Sequence, residues 1–494
     1  MSNVVNRRDF LRLGVALPLA SAAHANTYGM LDWSRTAQEI DGFGVSAAFQ
    51  MAQNLKDFPE PKRGQVLDAL FSQTRGAGFS IVRNFVGDGG SWGTPIDGPA
   101  PSIEPQEGVW NWTGDEEEIW FMQEAAARGC SRYLSTVWSP PSRMKDNHSV
   151  IGGRLRRDKY QAFAEYPSMY VRGYKEHHGI EIYAISPTNE PDITVKYSSC
   201  YWTGEALRTF LKEALIPVFA RDKITAKLVL GEHSTWSEEP AVRSLDDPDT
   251  ALRVDIVGTH AYVSSRMPFP PVSARSGNLS AAQQLKKKIW QTEVGLIGRN
   301  VPGIRDGLYW AKLLHTHVAE NGLNAWFYWW AVSPYTSGGC LIHLDPKKKA
   351  WTADKRLYAL GNYSRFVRPG YFRVNIEADF APGVLVSAFK NEQLRQLVVV
   401  AINENAGARD LEISVTGIGV SAAGPYRTSE TEDLAALPVV SIANNALKAA
   451  LAPRSVTTFV ASVTANSDSA RPTQWKWSLL RIGSHARPVR GVLS

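Results

Sequence analysis

The sequence lacks the features that define several large protein classes. It has only three cysteines in 494 residues, Cys130, Cys200 and Cys340. They form no disulfide framework, although two of them could still pair, and their spacing matches no metal-binding motif. Beyond the N-terminal segment, no apolar run reaches the roughly 18 residues that a membrane-spanning helix needs. We therefore expect neither a disulfide-rich fold nor an integral membrane protein.

Excess charge and phosphate-binding motifs are also missing. The formal net charge of +6 is mild for this length and forms no long basic stripe, so nucleic acid is not an expected partner. No glycine-rich loop opens a helix, which weakens the case for an open doubly wound sheet. Aromatic residues, in contrast, are abundant, with 16 Trp and 17 Tyr. Their number is compatible with a large core and equally with a surface that binds sugar rings.

The N-terminal segment has the pattern of an export signal. Arg7 and Arg8 are followed by Phe-Leu, an apolar stretch from Leu11 to Ala23 and the small-residue site Ala23-His24-Ala25. This order of a basic start, a short apolar run and a cleavage site is typical of a secretory signal. We predict a twin-arginine-like signal peptide over residues 1–25. The mature protein is then exported to the periplasm or the extracellular space, as a monomer that is not bound to a membrane.

Short apolar stretches alternate with amphipathic ones after the signal. Eight of them have strand character, at residues 40–46, 79–85, 131–138, 180–186, 227–232, 254–262, 287–293 and 324–330. Helix-compatible segments lie between them, at residues 116–129, 160–179, 203–220 and 307–322. Alternation of this kind predicts an α/β fold with buried parallel strands, and eight units predict a (β/α)8 TIM barrel.

The pattern changes near Val367, where apolar residues begin to alternate with polar ones in period two. This predicts an attached antiparallel β-sandwich side domain at residues 367–463. Residues 26–39 are expected to add the first strand or strands of that domain, and residues 40–366 to form the catalytic barrel. A basic C-terminal tail, residues 464–494, shows no clear strand pattern.

The ends of the predicted strands carry the residues suited to chemistry, because barrel enzymes place their sites there. The stretch EIYAISPTNEPD places Asn189 and Glu190 after an apolar strand, and Glu293 ends another strand across the barrel mouth. Two carboxylates facing each other suit glycoside hydrolysis, which needs a proton donor and a nucleophile or base. Arg83 and His260 are candidates to keep the nucleophile ionised. Glu232 is the rival acid, and we interpret it as a subsite or structural residue.

Aromatic residues at other strand ends are candidates to bind sugar rings. The candidates, which present flat apolar faces, are Trp138, Tyr262, Tyr328 and Trp330. The expected partner is therefore a polysaccharide.

An ordered set of segments resembles glycoside hydrolase family 30. The segments include IDGFGVSAAFQ, VWSPPSRMKDN, IYAISPTNEPD, VGTHAY and IWQTEVG, and the similarity runs from about residue 36 to 462. The resemblance implies a barrel fused to a β-sandwich and a retaining mechanism without a metal or other cofactor. By motif it makes Glu190 the acid/base, Glu293 the nucleophile and Asn189 a contact to the sugar 2-hydroxyl. It also assigns Trp138, His260 and Tyr262 to the cleft.

The segments RLRRDKYQAFAEY, RFVRPGYFRV and APRSVTTFV are most similar to the xylan-active branches of that family. We therefore expect an endo-β-1,4-xylanase, with a β-1,6-glucanase or galactanase and a glucosylceramidase-like β-glucosidase as alternatives. A non-catalytic carbohydrate-binding protein is the alternative of another class. In the family, enzymes that require a glucuronic acid branch have an arginine in the loop after the eighth strand. This chain has AVSPYTSGGCLIHLDPKKK there, with His343, Lys347 or an arginine elsewhere as alternatives, and we expect no requirement for the branch.

Overall fold

The computed structural model describes residues 27–90, 101–264 and 267–464. The predicted signal peptide and, apart from Thr464, the predicted C-terminal tail lie outside these residues. The first described strand, β1 (Thr27–Ile40), belongs to a side sheet, and the chain enters the barrel directly after it.

Eight parallel strands close into a barrel, as the alternating pattern predicts. Both faces of these strands are almost entirely buried, which explains the many apolar residues in them. The last barrel strand, β9 (Ala325–Ser333), pairs with both β2 (Gly42–Ser46) and β8 (Lys288–Glu293), so the sheet closes on itself and is not an open doubly wound sheet. The barrel strands are β2 (Gly42–Ser46), β3 (Ile81–Val86), β4 (Arg132–Val137), β5 (Ala184–Ser186), β6 (Lys227–Thr235), β7 (Ile256–Tyr262), β8 (Lys288–Glu293) and β9 (Ala325–Ser333).

Helices surround the barrel at the predicted places. The longest, Tyr160–His178, ends where Gly179 takes a left-handed φ of 66° and its N–H bonds to the carbonyls of Lys175 and Tyr174. The other α-helices are Gln53–Lys56, Lys62–Phe71, Glu116–Ala126, Gly204–Phe210, Ile216–Arg221, Val242–Leu245, Pro248–Arg253, Ser280–Gln284, Ile304–His315 and Lys355–Ser364. Two π-helical turns, Leu211–Leu215 and Thr316–Glu320, continue helices, and short 3-10 turns lie at Ala48–Gln50, Ser142–Met144, Arg157–Lys159 and Val272–Arg275.

An apolar plug fills the lower part of the barrel. It is built from inward-facing residues of seven strands, Ile81, Leu134, Ala184, Val229, Ile256, Trp290, Ala325 and Phe327. The plug leaves the polar inward-facing residues above it, toward the carboxyl ends of the strands, where barrel enzymes place their sites.

The loop after β9 holds a hairpin that the sequence pattern did not predict. β10 (Cys340–Asp345) pairs in parallel with β9, and β11 (Ala350–Ala353) pairs antiparallel with β10. The loop is therefore an ordered extension of the barrel sheet beside its mouth.

The side domain is a mixed, mostly antiparallel sheet curled into a half-barrel, and this refines the predicted antiparallel sandwich. β1 comes from the start of the chain and lies between two strands from its end, β12 (Tyr371–Asp379) and β15 (Arg409–Thr416). Its pairing with β15 is parallel. The other strands are β12 (Tyr371–Asp379), β13 (Val384–Asn391), β14 (Gln396–Asn403), β15 (Arg409–Thr416), β16 (Gly419–Thr428), β17 (Ala435–Ala436), β18 (Val440–Ser441), β19 (Ala446–Leu451) and β20 (Ser455–Thr464).

The three cysteines, whose pairing the sequence left open, are all free and buried. In the described parts of the chain, no helix combines the length and the apolar character needed to cross a bilayer.

Candidate active site

The carboxyl ends of the barrel strands bring the two predicted glutamates together. Glu293 is the last residue of β8, and Glu190 lies in the turn that follows β5. Both are nearly buried, at 5% exposure each. One carboxylate oxygen of each lies within 4.8 Å of the other and of a ring nitrogen of His260.

Two donors hold the carboxylate of Glu293. Arg83 Nη1 donates to Oε2 at 2.6 Å, and the hydroxyl of Tyr262 donates to Oε1 at 3.0 Å. Arg83 is fully buried, and its guanidinium lies 4.5 Å from the ring centre of Trp138. Burial raises the pKa of Glu293, and the charges of His260 and Arg83 offset only part of that rise. The charge-assisted bond to Arg83 therefore favours the ionised form of this carboxylate.

Two other donors hold the carboxylate of Glu190. His260 Nδ1 donates to Oε1 at 3.2 Å, and the hydroxyl of Tyr197 donates to Oε2 at 3.1 Å. The backbone of Glu190 has a left-handed φ of 44°, an unfavourable conformation for a residue with a side chain. A bond from its N–H to the carbonyl of Glu232 at 2.9 Å helps to hold that conformation.

His260 faces a carboxylate on each side of its ring. Besides Glu190 at Nδ1, the carboxylate of Glu232 lies 3.4 Å from Nε2. Burial alone would lower the pKa of His260, but the carboxylates of Glu293, Glu190 and Glu232 raise it to about 10. A carboxylate at each ring nitrogen therefore favours the imidazolium form of His260, which can donate to both.

By position, Glu190, His260 and Glu293 are the group in the described residues that could hold a metal ion. Their hydrogen bonds fit this role poorly. A bound cation would displace the proton on His260 and would face the positive guanidinium of Arg83, which lies 2.6 Å from Glu293. The donor set suits a hydrogen-bonded acid–base pair better.

A cavity of about 630 Å³ opens above the two glutamates. Aromatic side chains form much of its wall, namely Phe49, Tyr197, Tyr262, Trp329, Trp330 and Tyr335. A larger cavity of about 770 Å³ lies near the side sheet, between Tyr309 and Arg454, and includes neither glutamate. The chemistry therefore assigns the site to the smaller cavity.

Comparison with known proteins places this arrangement in a family. The model of glycosyl hydrolase family 59 matches residues 40–346. A family 30 subfamily 8 xylanase from Clostridium acetobutylicum superposes with a TM-score of 0.71 at 27% identity, over 88% of this chain and 99% of that structure. The catalytic domain of family 30 xylanase C from Talaromyces cellulolyticus gives a TM-score of 0.74 at 25% identity, over 88% and 100%. The chain belongs to glycoside hydrolase family 30, and the family 59 model also matches it.

A curated relative agrees with this assignment. The glucuronoxylanase XynC of Bacillus subtilis is 27% identical to this chain over 354 residues. The match covers 69% of this chain and 77% of XynC. The family that the sequence motifs resembled is thus confirmed.

Not all of the residues that the sequence predicts to contact the substrate line the cavity. Trp330 and Tyr262 do. Trp138 and Asn189 lie just beneath its wall, where the Asn189 Oδ1 accepts from Arg83 Nη2 at 2.6 Å. The prediction that Tyr328 contacts the substrate is corrected by the structure. Its side chain points away from the cavity, packs against Trp310 and donates its hydroxyl to the carbonyl of Gly338.

Four aromatic wall residues were not among the substrate contacts predicted from the sequence. Trp329 is the neighbour of a predicted residue, while Phe49, Tyr197 and Tyr335 lie in loops after β2, β5 and β9. The signal that could have found them is an aromatic residue in a loop that follows a barrel strand, as in KYSSCYW around Tyr197.

Proposed function

We propose that this family 30 chain is an exported, monomeric, retaining endo-β-1,4-xylanase, with Glu190 as acid/base and Glu293 as nucleophile. The observation that carries the mechanism is the closeness of the two carboxylates, within 4.8 Å between their nearest oxygens. Retaining enzymes hold their carboxyl groups about 5–5.5 Å apart, whereas inverting enzymes leave about 6.5–9.5 Å for a water molecule.

The hydrogen bonds support this division of roles. Glu293 accepts from the guanidinium of Arg83 at 2.6 Å, and this favours an ionised nucleophile. In the first step Glu293 attacks the anomeric carbon while Glu190 gives its proton to the leaving oxygen. The attack forms a glycosyl ester on Glu293. In the second step Glu190 takes a proton from water, the water oxygen attacks the anomeric carbon, and Glu293 leaves as a carboxylate.

Asn189 is the proposed contact to the sugar 2-hydroxyl. Its Oδ1 accepts from Arg83 Nη2 at 2.6 Å, so the orientation of the amide is fixed and its NH2 group remains available as a donor. A donor to the 2-hydroxyl contributes most in the transition state, where positive charge develops on the ring.

The wall of the cavity and the relatives support xylan as the substrate. The rings of Trp329 and Trp330 stack on each other at 5.1 Å, and Tyr335 lies 6.1 Å from Trp330, which provides flat apolar faces for pyranose rings. The two xylanases and the glucuronoxylanase that this chain matches are 25–27% identical to it.

We further propose that the enzyme does not require a glucuronic acid branch. His343, one of the two possible substitutes for the family's arginine, is already engaged. Its Nε2 donates to Asp354 Oδ2 at 2.8 Å and its Nδ1 to the carbonyl of Tyr335 at 3.0 Å. A clamp on a branch carboxylate would therefore fall to Lys347 or to an arginine elsewhere in the chain.

Product analysis tests the proposal. The wild-type protein, Glu190→Gln and Glu293→Gln are incubated with glucuronoxylan, arabinoxylan, β-1,6-glucan and β-1,6-galactan. We expect the wild type to release xylo-oligosaccharides from both xylans, and each variant to lose at least about 10³-fold in rate. Proton NMR of the first products should show the β-anomer, as retention requires.

Other results are equally informative. Cleavage of a β-1,6-glycan but of no xylan contradicts the substrate, and an α-anomer as first product contradicts the retaining mechanism. Glycan binding without turnover by the wild type would identify a carbohydrate-binding protein. Products from glucuronoxylan only, each with one branch at a fixed position, would show that Lys347 or another cation reads the branch.

A further inference from the structure

A third glutamate lies beneath the proposed pair, and an irregularity of its strand directs it there. The pairing of β6 with β7 shifts register between Gly231 and His233. Gly231 has φ of 113° and Glu232 has φ of 57°, both in the region that side chains disfavour. Such a β-bulge re-aims a side chain, and here it turns Glu232 into the barrel, where the residue is fully buried.

The neighbouring strand leaves room for this carboxylate. A Cβ on Gly258 of β7 would lie 2.6 Å from Glu232 Oε1, so any side chain at that position would displace the carboxylate. Two glycines on adjacent strands, Gly231 and Gly258, thus allow a charged group at a depth where barrels usually hold apolar residues. A buried charge at this depth is costly unless charged partners compensate it.

The partners of Glu232 are the same two cations that hold the proposed catalytic pair. Its Oε2 accepts from Arg83 Nη2 at 2.6 Å and from His260 Nε2 at 3.4 Å. Arg83 also bonds Glu293, and His260 also bonds Glu190. Glu232 is therefore linked to each member of the pair through one shared hydrogen-bond donor, although it does not line the cavity.

We propose that Glu232 is a positioning residue that fixes how many protons the pair of Glu190 and Glu293 holds at working pH. The inference rests on the proposed roles of that pair. Arg83 and His260 supply two positive charges, and Glu232 balances one of them permanently. The remaining positive charge stabilises one ionised carboxylate in the pair and leaves the other protonated, the state in which a retaining glycosidase begins its reaction.

The other groups at the site are consistent with this count. Burial alone would raise the pKa of Glu232, but Arg83 and His260 lower it, so the residue is ionised. The remaining titratable groups at the cavity are Tyr197, Tyr262 and the exposed Lys196. Burial raises the pKa of both tyrosine hydroxyls, which leaves them neutral. No other charge in the described residues bonds to Glu190 or Glu293.

The substitution Glu232→Gln tests the proposal by its effect on the pH profile. With Glu232 neutral, two cations face the pair without a compensating charge, and the pair then loses its shared proton at a lower pH. We expect the alkaline limb of kcat/KM to move down by at least about one pH unit, because removal of one close charge shifts a buried group by about 1–3 units. His260 still faces two carboxylates and should remain charged.

A matched control separates this effect from a general loss of structure. Asp306 is also fully buried and accepts from an arginine, Arg356, at 2.6 Å, but it lies in a helix outside the barrel. Asp306→Asn should lower stability and leave the pH limbs in place. An unshifted alkaline limb in Glu232→Gln, or an equal loss of activity at every pH, would overturn the inference.

A measurement on the wild-type protein keeps the proposal testable if Glu232→Gln does not fold. Nitrogen NMR of the imidazoles should show His260 doubly protonated up to about pH 9, because the proposed charge balance needs a positive charge on His260. His343, whose pKa is also raised to about 10 although burial opposes the rise, is identified by its loss in His343→Gln. A neutral His260 at pH 7 would contradict the charge count.

The two proposals fail in distinguishable ways. If Glu190→Gln and Glu293→Gln are inactive but Glu232→Gln keeps the wild-type limbs, only the role of Glu232 is wrong. If Glu293→Gln retains wild-type activity, the proposed pair itself is wrong.

Discussion

Each carboxylate of the proposed pair accepts from one tyrosine at the cavity wall. Tyr262 donates to Glu293 at 3.0 Å, and Tyr197 donates to Glu190 at 3.1 Å. The two hydroxyls are similar in distance and burial but serve carboxylates with different proposed roles. Removal of each hydroxyl should therefore affect a different chemical step.

We expect Tyr262→Phe to lower kcat/KM about ten- to hundredfold on every substrate, because a hydrogen bond to a charged group is worth about 1.5–3 kcal/mol. Tyr197→Phe should lower the rate on xylan similarly but leave an aryl glycoside with a good leaving group nearly unaffected, since such a group departs without a proton. Steady-state kinetics on both substrates check this. Equal losses for the two variants on both substrates would contradict the separate roles.

At the scale of elements, helix Glu116–Ala126 has an unusual first turn. It begins with Glu116, Glu117 and Glu118. Ionised acidic residues at this position interact favourably with the positive end of the helix dipole. Glu116 is exposed, whereas Glu117 and Glu118 are buried. Burial and then the carboxyl of Asp115 raise the pKa of Glu117 well above its usual value.

This turn should weaken the fold as pH rises. The folded protein keeps the proton of Glu117 to a higher pH than the unfolded chain, so stability falls above about pH 4.5 by up to about 1.4 kcal/mol per pH unit until the folded group ionises. Glu117→Gln has no proton to lose, and its gain in melting temperature over the wild type should widen from pH 5 to pH 8. Glu116→Gln, in the same turn but exposed, should show no such trend in calorimetry.

At the scale of the whole molecule, helix Lys355–Ser364 joins the barrel to the side sheet. Asn362 is fully buried and donates from Nδ2 to the carbonyl of Tyr426 and to Thr458 Oγ1, both at 3.0 Å. Thr458 in turn donates to the carbonyl of Asn362 at 2.6 Å. At its end the helix also bonds the barrel, where Ser364 donates to the carbonyl of Ala77 at 2.6 Å.

Because these contacts couple the two units, we expect them to unfold together. Asn362→Ala should lower the free energy of unfolding by about 1–3 kcal/mol, the usual effect of leaving buried polar partners unpaired. Calorimetry should still show one transition, and kcat/KM at 25 °C should not change. The exposed Asn111→Ala is the control and should stay within about 0.5 kcal/mol. Two separate transitions in Asn362→Ala would show that the units are less coupled than the contacts indicate.

The sequence by itself determined the barrel, its eight strands and the two glutamates. A strand such as Ile81–Val86 is mostly apolar and is followed by helix-compatible chain, so local pattern suffices to place it in the order of the barrel. Glu190 and Glu293 follow from the same pattern, because a carboxylate at the end of a buried strand can only lie at the barrel mouth.

The tertiary structure alone decided which way the side chains of buried strands point. β9 is buried on both faces, so no alternation of polar and apolar residues distinguishes Tyr328, which packs outward, from Trp329, which faces the cavity. The parallel pairing of β1 with β15 joins residues almost 400 positions apart, and no local pattern encodes it. Glu232 enters the barrel only because a bulge and the missing side chain of Gly258 on another strand admit it.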